Sequence, residues 1–338
     1  MLLDEIAAEA GDQELRDALR RALRKVEESR VKKEELVNAV YRASRDAVAG
    51  ISIPPVTRPP RDRRRGSAET AICLLADWQW GKRTPDYNSD VAAARVARYT
   101  ERAVKLIDLQ RSHHPVREAR IYLLGDLLEG EEVFPGQAHR IDASLYVQLF
   151  EGAKALAGLV RTIAASVPSV KVVGTIGNHG ALGGIARRSY HPETNADAML
   201  MNIARTFLAD EERVTWPETF VAGERAWYAT DEVLGKRWFL FHGDQIKSAS
   251  FGIPWYGFNK RLLGWATSVA PFTYSASGHW HVPVRMQVNA ITHWGAGSTE
   301  SGNTYAQEFL ASGGQRPSQW LLFQGENGVT AEYQVFLD

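Results

Sequence analysis

Five short apolar runs in this chain each stop abruptly on a polar tip, and that grammar restricts the fold more than any other feature. Ile72-Cys73-Leu74-Leu75-Ala76 leads into Asp77-Trp78-Gln79, and Ile121-Tyr122-Leu123-Leu124 into Gly125-Asp126. Val172-Val173-Gly174-Thr175-Ile176 leads into Gly177-Asn178-His179-Gly180. Phe239-Leu240-Phe241 leads into His242-Gly243-Asp244, and Tyr274-Ser275-Ala276-Ser277 into Gly278-His279-Trp280-His281. The runs at 71–76, 120–124 and 170–175 read as buried strands, separated by helical stretches at about 91–111 and 143–166. That alternation predicts an α/β layered domain. Further β-like runs at 237–242, 272–277, 283–288, 290–295, 319–324 and 330–337 predict a β-rich second half. In α/β sheets ligands gather outside the carboxyl ends of strands, so five polar tips in sequence order predict a single site.

Ahead of this domain the pattern differs. Residues 12–49 are helical in pattern, with Leu15, Leu19, Leu23 and Val26, then Leu36, Val37, Val40 and Tyr41, recurring at helical spacing. We read 1–50 as a helical segment for oligomerisation or docking, giving a possible homo-oligomer; a DNA-reading helix pair is the alternative. Residues 51–67 form a Pro/Arg-rich linker, with five Arg against one Asp over 58–65. It serves as a solvated tether or as an arm that attracts phosphate. The main domain then spans 68–338.

Composition sets outer bounds. The 338 residues carry 40 Lys+Arg against 40 Asp+Glu, so net charge by itself gives no argument for nucleic-acid binding. No apolar run approaches the roughly 18 residues of a membrane span. The start, Met1 to Ala10, holds Asp4, Glu5 and Glu9 and lacks the basic region of a secretory signal. The expected location is the cytoplasm, with no membrane partner. A lone Cys73 excludes a disulfide framework and any cysteine-based zinc cluster, and reads as a small buried hydrophobe.

The tips together supply hard oxygen and imidazole nitrogen and no thiolate, a donor set suited to Mn²⁺, Fe²⁺ or Zn²⁺ more than Ca²⁺ or Mg²⁺. In this respect the sequence resembles the calcineurin-like metallophosphoesterases, whose motifs run Asp-x-His, Gly-Asp, Gly-Asn-His-Asp/Glu, His and Gly-His-x-His at strand ends. The match covers about 71–295. Asp77-Trp78-Gln79-Trp80-Gly81-Lys82 and Phe134-Pro135-Gly136-Gln137 resemble the bacteriophage-encoded branch. The resemblance implies an α/β (α+β) four-layer sandwich, two β-sheets flanked by helices, here with an N-terminal helical extension. It implies two divalent metal ions, Mn²⁺ before Fe²⁺ or Zn²⁺. Asp77 and His281 would bind the first, Asp126 would bridge, and Asn178, His242 and His279 would bind the second. His179 would face the phosphate and stabilise or protonate the leaving oxygen, and hydroxide would attack without a Ser or Cys nucleophile.

Two positions depart from the pattern. Gln79 stands where the family has His; its carbonyl oxygen can ligate but is neutral and weak, which predicts a looser first metal. Gly180 replaces the acidic residue after His179, so another group, Asp126 or a backbone carbonyl, must orient that imidazole. Glu129 either supports the site or merely begins the next loop. For substrate contact we single out Arg187, Arg188, Trp78, Trp280 and His139, with core packing as the alternative for the tryptophans and a solvated turn for the arginine loop. His113, His114 and His293 read as structural. The expected activity is a phosphodiesterase or nuclease acting on DNA or RNA; the alternatives are a phosphomonoesterase and a non-catalytic scaffold with a degenerate site.

Overall fold

The computed structural model describes residues 56–59, 64, 66–134, 136–182, 191–217, 227–247, 253–302 and 316–338, with isolated helical positions between 21 and 42. The chain divides into two compact units, Met1–Ser52 and Ile53–Asp338. In the first, Arg21, Arg24, Lys25, Glu35, Ala39 and Arg42 are helical and exposed. The apolar stripes of this segment, and most of the Arg-rich linker, lie outside the described residues.

The second unit holds two mixed sheets. One contains β1 (Glu69–Leu75), β2 (Val116–Leu123), β3 (Ser169–Gly174), β4 (Val214–Thr215), β10 (Ser318–Gly325) and β11 (Gly328–Phe336), in the order β11-β10-β1-β2-β3-β4. Its four central and outer strands β1 to β4 run parallel, and β10 and β11 are antiparallel additions. The other sheet runs β5-β6-β7-β9-β8, from β5 (Tyr228–Val233), β6 (Lys236–Phe241), β7 (Tyr274–Ser277), β9 (Ile291–Gly295) and β8 (Val284–Val288). There β6, β7 and β9 are parallel.

The sheets pack face to face because alternate residues of each strand are apolar toward the other sheet. Ile72, Leu74, Ala76, Tyr122, Leu124 and Leu322 of the first meet Trp238, Leu240, Tyr274, Ala276 and Trp294 of the second in one buried core. The intervening residues of β1 are buried as well, so the run shows no polar alternation; Cys73 faces Tyr99 and its thiol is pushed by burial up to about 12. This is the small buried hydrophobe expected of it. Helices α1 (Ser89–Gln110), α2 (Leu145–Ala164) and α3 (Ala196–Phe207) flank the first sheet; Tyr99 Oη of α1 donates to Trp320 O of β10 at 2.9 Å. Helix α4 (Trp255–Ser268) covers the second, setting Phe258, Leu262 and Trp265 against Phe239, Phe241 and Met286. The result is the four-layer arrangement of two sheets flanked by helices.

One charged cluster ties the sheets. Asp231 of β5 accepts from Tyr122 Oη at 2.9 Å and pairs with Arg120 Nε at 2.8 Å and Lys171 Nζ at 2.5 Å. Two helices were not anticipated from the sequence. Helix α3 is short, and its polar stripe is narrow: exposed Asn202 beside half-buried Arg205 and Thr206. Helix α4 is rich in aromatics and carries two glycines, all weak helix formers. Among the described residues no helix is long and apolar enough to cross a membrane.

Candidate metal centre

The parallel strands of both sheets deliver their carboxyl ends to one place. The contact is direct: His279 N donates to Asp77 Oδ2 at 2.9 Å, and His242 Nδ1 faces Leu124 O at 2.7 Å. Seven described non-glycine residues adopt left-handed backbone, and five of them are Asp77 (φ 52°), Gln79 (47°), Asp126 (52°), His279 (73°) and His281 (56°). Such conformations cost about 1–3 kcal/mol each and concentrate at functional sites. The close approach also needs glycine: a Cβ on Gly177 would overlap the Asp126 carboxylate.

At the centre, the Nδ1–H of His242 is committed to Leu124 O, which leaves Nε2 as the free ring nitrogen. Around that nitrogen stand Asp126 Oδ2 at 3.0 Å, Asn178 Oδ1 at 3.1 Å and His279 Nδ1 at 3.3 Å. Four electron-pair donors converge and a single proton cannot satisfy them all. Ligand atoms of Asp126, His242 and His279 lie within 4.8 Å of one another, the arrangement a cation would complete. The electrostatics show the same surplus. Burial opposes charge on His242, but Asp126 outweighs it and raises the imidazole to about 10. Burial and the charge of His242 then push His279 down to about 3. Asp126, despite burial, is held far below the usual carboxylate range by His242 and His179.

Asp77, Gln79 and His281 form a second group of polar side chains beside these donors. Gln79 Nε2 approaches Asp126 Oδ2 at 3.5 Å, and its buried Oε1 has no hydrogen-bond partner, so an unsatisfied carbonyl is available as a donor. His281 Nε2 stands 3.5 Å from Asp77 Oδ1, while its Nδ1 meets Glu300 Oε2 at 2.9 Å. Asp77, Gln79 and His281 offer a carboxylate, an amide oxygen and an imidazole, but among the described residues only Asp126, His242 and His279 bring three charged or imidazole ligand atoms within 4.8 Å of one another.

His179 is held apart from these donors. Its backbone N–H donates to Asp126 Oδ1 at 2.8 Å, and its Nδ1 faces Glu129 O at 2.9 Å and Glu129 Oε2 at 3.3 Å. Glu129 is fully buried and fixed by Gln137 Nε2 at 3.0 Å, so it is part of the site rather than a solvated loop start. Burial disfavours charge on His179, but Asp126 and Glu129 raise it to about 9. Gly180 has a steric reason: a Cβ there would overlap Asn195 Oδ1 and come 2.8 Å from Asp197 N. The helix α3 terminus occupies the space of an acidic side chain, and Glu129 supplies the carboxylate from the opposite flank.

The other sequence candidates separate. Trp78 is 1 % exposed and offers no face to a substrate, which corrects its reading as a stacking residue in favour of core packing. Trp280 is half-buried, edge-on to His279 with centroids 5.2 Å apart. His139 is exposed, in the 3-10 turn that also carries Gln137, and no contact joins it to the donors among the described residues. Arg187 and Arg188 lie outside the described residues. His293 is a core residue between Ser275 Oγ and Ser277 Oγ, and His113 and His114 lie away on the surface.

Three residues escaped the sequence reading. Asp197, in the first turn of α3, accepts from the backbone N–H groups of Asp126, Leu127 and Gly177 at 2.9, 2.9 and 2.7 Å. Lys82 and Glu300 pair at 2.7 Å. Glu300 ends a sixth tip, Gly295-Ala296-Gly297-Ser298-Thr299-Glu300 after β9, which follows the grammar of the other five. Asp197 carried only the signal of a helix cap.

No family model matches the sequence, and no curated protein matches it. Among solved structures, a novel archaeal phosphodiesterase is 12% identical over 78% of this chain and 99% of its own, with a TM-score of 0.36. A hypothetical protein of Pyrococcus horikoshii is 10% identical over 80% and 89%, with a TM-score of 0.41. Zinc-complexed Vps29 of Entamoeba histolytica is 12% identical over 79% and 99%, with a TM-score of 0.32.

Proposed function

We propose that this chain is a metal-dependent phosphoesterase of the calcineurin-like kind, and within that class a phosphodiesterase acting on nucleic acid. The observation that carries the class is the crowding of Asp126, Asn178, His279 and His242 donor atoms around one point. Asp126, Asn178, His242 and His279 would hold one divalent cation; Asp77, Gln79, His281 and the shared Asp126 would hold the other. When bound, paired cations clamp a phosphate and lower the pKa of water, so that hydroxide is available at neutral pH. Leu124 O keeps the His242 lone pair on Nε2. Glu129 engages Nδ1 of His179, so the proton given to the leaving oxygen is the one on Nε2.

Support for the diester comes from the five Arg of 58–65 and from Trp280 beside His279. Mn²⁺ is the preferred ion on the oxygen and imidazole donor set. The 1–50 segment is the proposed means of self-association. The test offers the Mn²⁺-loaded protein bis-p-nitrophenyl phosphate, p-nitrophenyl phosphate, and single- and double-stranded DNA and RNA side by side. Cleavage of the diester and a nucleic acid is expected; turnover of the monoester alone would reject the diester assignment.

A further inference from the structure

We propose that Glu300, anchored by Lys82, is a positioning residue that strengthens through His281 the metal position Gln79 weakens. The inference rests on the metallophosphoesterase reading above. Gln79 contributes a neutral amide oxygen, a poor ligand for a transition metal compared with imidazole. A site so built needs compensation from its remaining donors, and His281 is the one with an adjustable basicity. A carboxylate on the far nitrogen of a ligating imidazole fixes its tautomer and raises its donor strength. Glu300 Oε2 occupies that position, 2.9 Å from His281 Nδ1, and leaves Nε2 turned toward Asp77.

The carboxylate is built in rather than incidental. Glu300 is 4 % exposed, and a buried carboxylate needs a cation and hydrogen bonds to remain charged. Lys82 Nζ meets Glu300 Oε1 at 2.7 Å, so the two oxygens serve different partners. The backbone places the group as well: Glu300 N donates to Ser298 Oγ at 2.8 Å, and that hydroxyl donates to Asp77 O at 2.7 Å. Lys82 N donates to Gln79 O at 2.9 Å, closing the turn Gln79-Trp80-Gly81-Lys82. The weak donor and the anchor of its compensation therefore sit on one four-residue turn. A purely structural Lys82–Glu300 pair would pin the sixth tip without affecting metal affinity.

The test is calorimetric titration of Mn²⁺ into the full-length protein, with thermal melts alongside. Glu300→Gln should weaken one metal site by about 10–100-fold and leave the other unchanged. Gln79→His in the same background should restore most of that loss, because both changes act on one position. Lys82→Met should weaken the same site in the same direction, which keeps the test available should Glu300→Gln fold poorly. Unchanged affinities at both sites in folded Glu300→Gln or Lys82→Met would overturn the inference, as would failure of Gln79→His to rescue. A wild-type protein that binds no Mn²⁺ would instead bring down the metallophosphoesterase reading itself.

Discussion

His179 and Asp126 lie side by side yet have separable duties. Asp126 gives Oδ2 to the donor cluster and accepts at Oδ1 from the backbone N–H of His179, so one carboxylate joins the cluster and positions its neighbour. His179 gives nothing to the cluster; its ring is turned to Glu129. His179→Ala is therefore expected to retain wild-type metal content by elemental analysis while losing about 10²–10⁴-fold in kcat. Equal loss of metal and activity would contradict the division. At this scale the sequence was legible for a physical reason: a ligand at a strand end needs glycine beside it and an apolar run before it, and both are local. Asp197, Lys82 and Glu300 act across the fold: each sits in a tip or helix start that local pattern marks, but the partners they meet are distant in sequence and no local pattern gives the pairing.

The element that best explains the glycine after His179 is α3. Its N-cap Asn195 accepts from Asp197 N at 2.8 Å and donates to Gly177 O at 2.9 Å. Asp197 gathers the amides of the second and third tips, so the start of one helix holds two strand ends together. That arrangement fills the space after His179 and leaves room only for glycine. Gly180→Asp, which places an acidic side chain in that filled space, should destabilise the protein by about 1–3 kcal/mol and lower activity. A thermal melt unchanged from wild type would contradict the packing argument. Neither α3 nor α4 was anticipated from the sequence: the first is short with a narrow polar stripe, and the second mixes glycine and aromatics. The strands were visible because two-sided burial makes their apolar runs continuous, as in β1.

For the whole molecule, the consequence is that the centre joins the two sheets. Asp77, Asp126 and Asn178 follow strands of one sheet, and His242, His279 and His281 follow strands of the other. A cation bound between them cross-links the sandwich, and anything that binds the folded state alone stabilises it, by about 2.7 kcal/mol at 100 times Kd. Mn²⁺ should accordingly raise the melting temperature of the wild type, and Asp126→Asn should abolish the rise. An equal rise in both would place the ion elsewhere. The order of strands and helices made an α/β layered domain readable, and the four-layer sandwich followed only from the motif resemblance. The pairing of sheets was not readable, because it depends on side chains such as Asp231 that meet Arg120 and Lys171 only after folding.

The most direct test of the central claim is hydrolysis of bis-p-nitrophenyl phosphate by the purified chain before chelation, after chelation, and after Mn²⁺ is returned. The account predicts activity that disappears on chelation and returns with the metal. Hydrolysis indifferent to the chelator, or no hydrolysis by a protein shown to carry its metals, would contradict it.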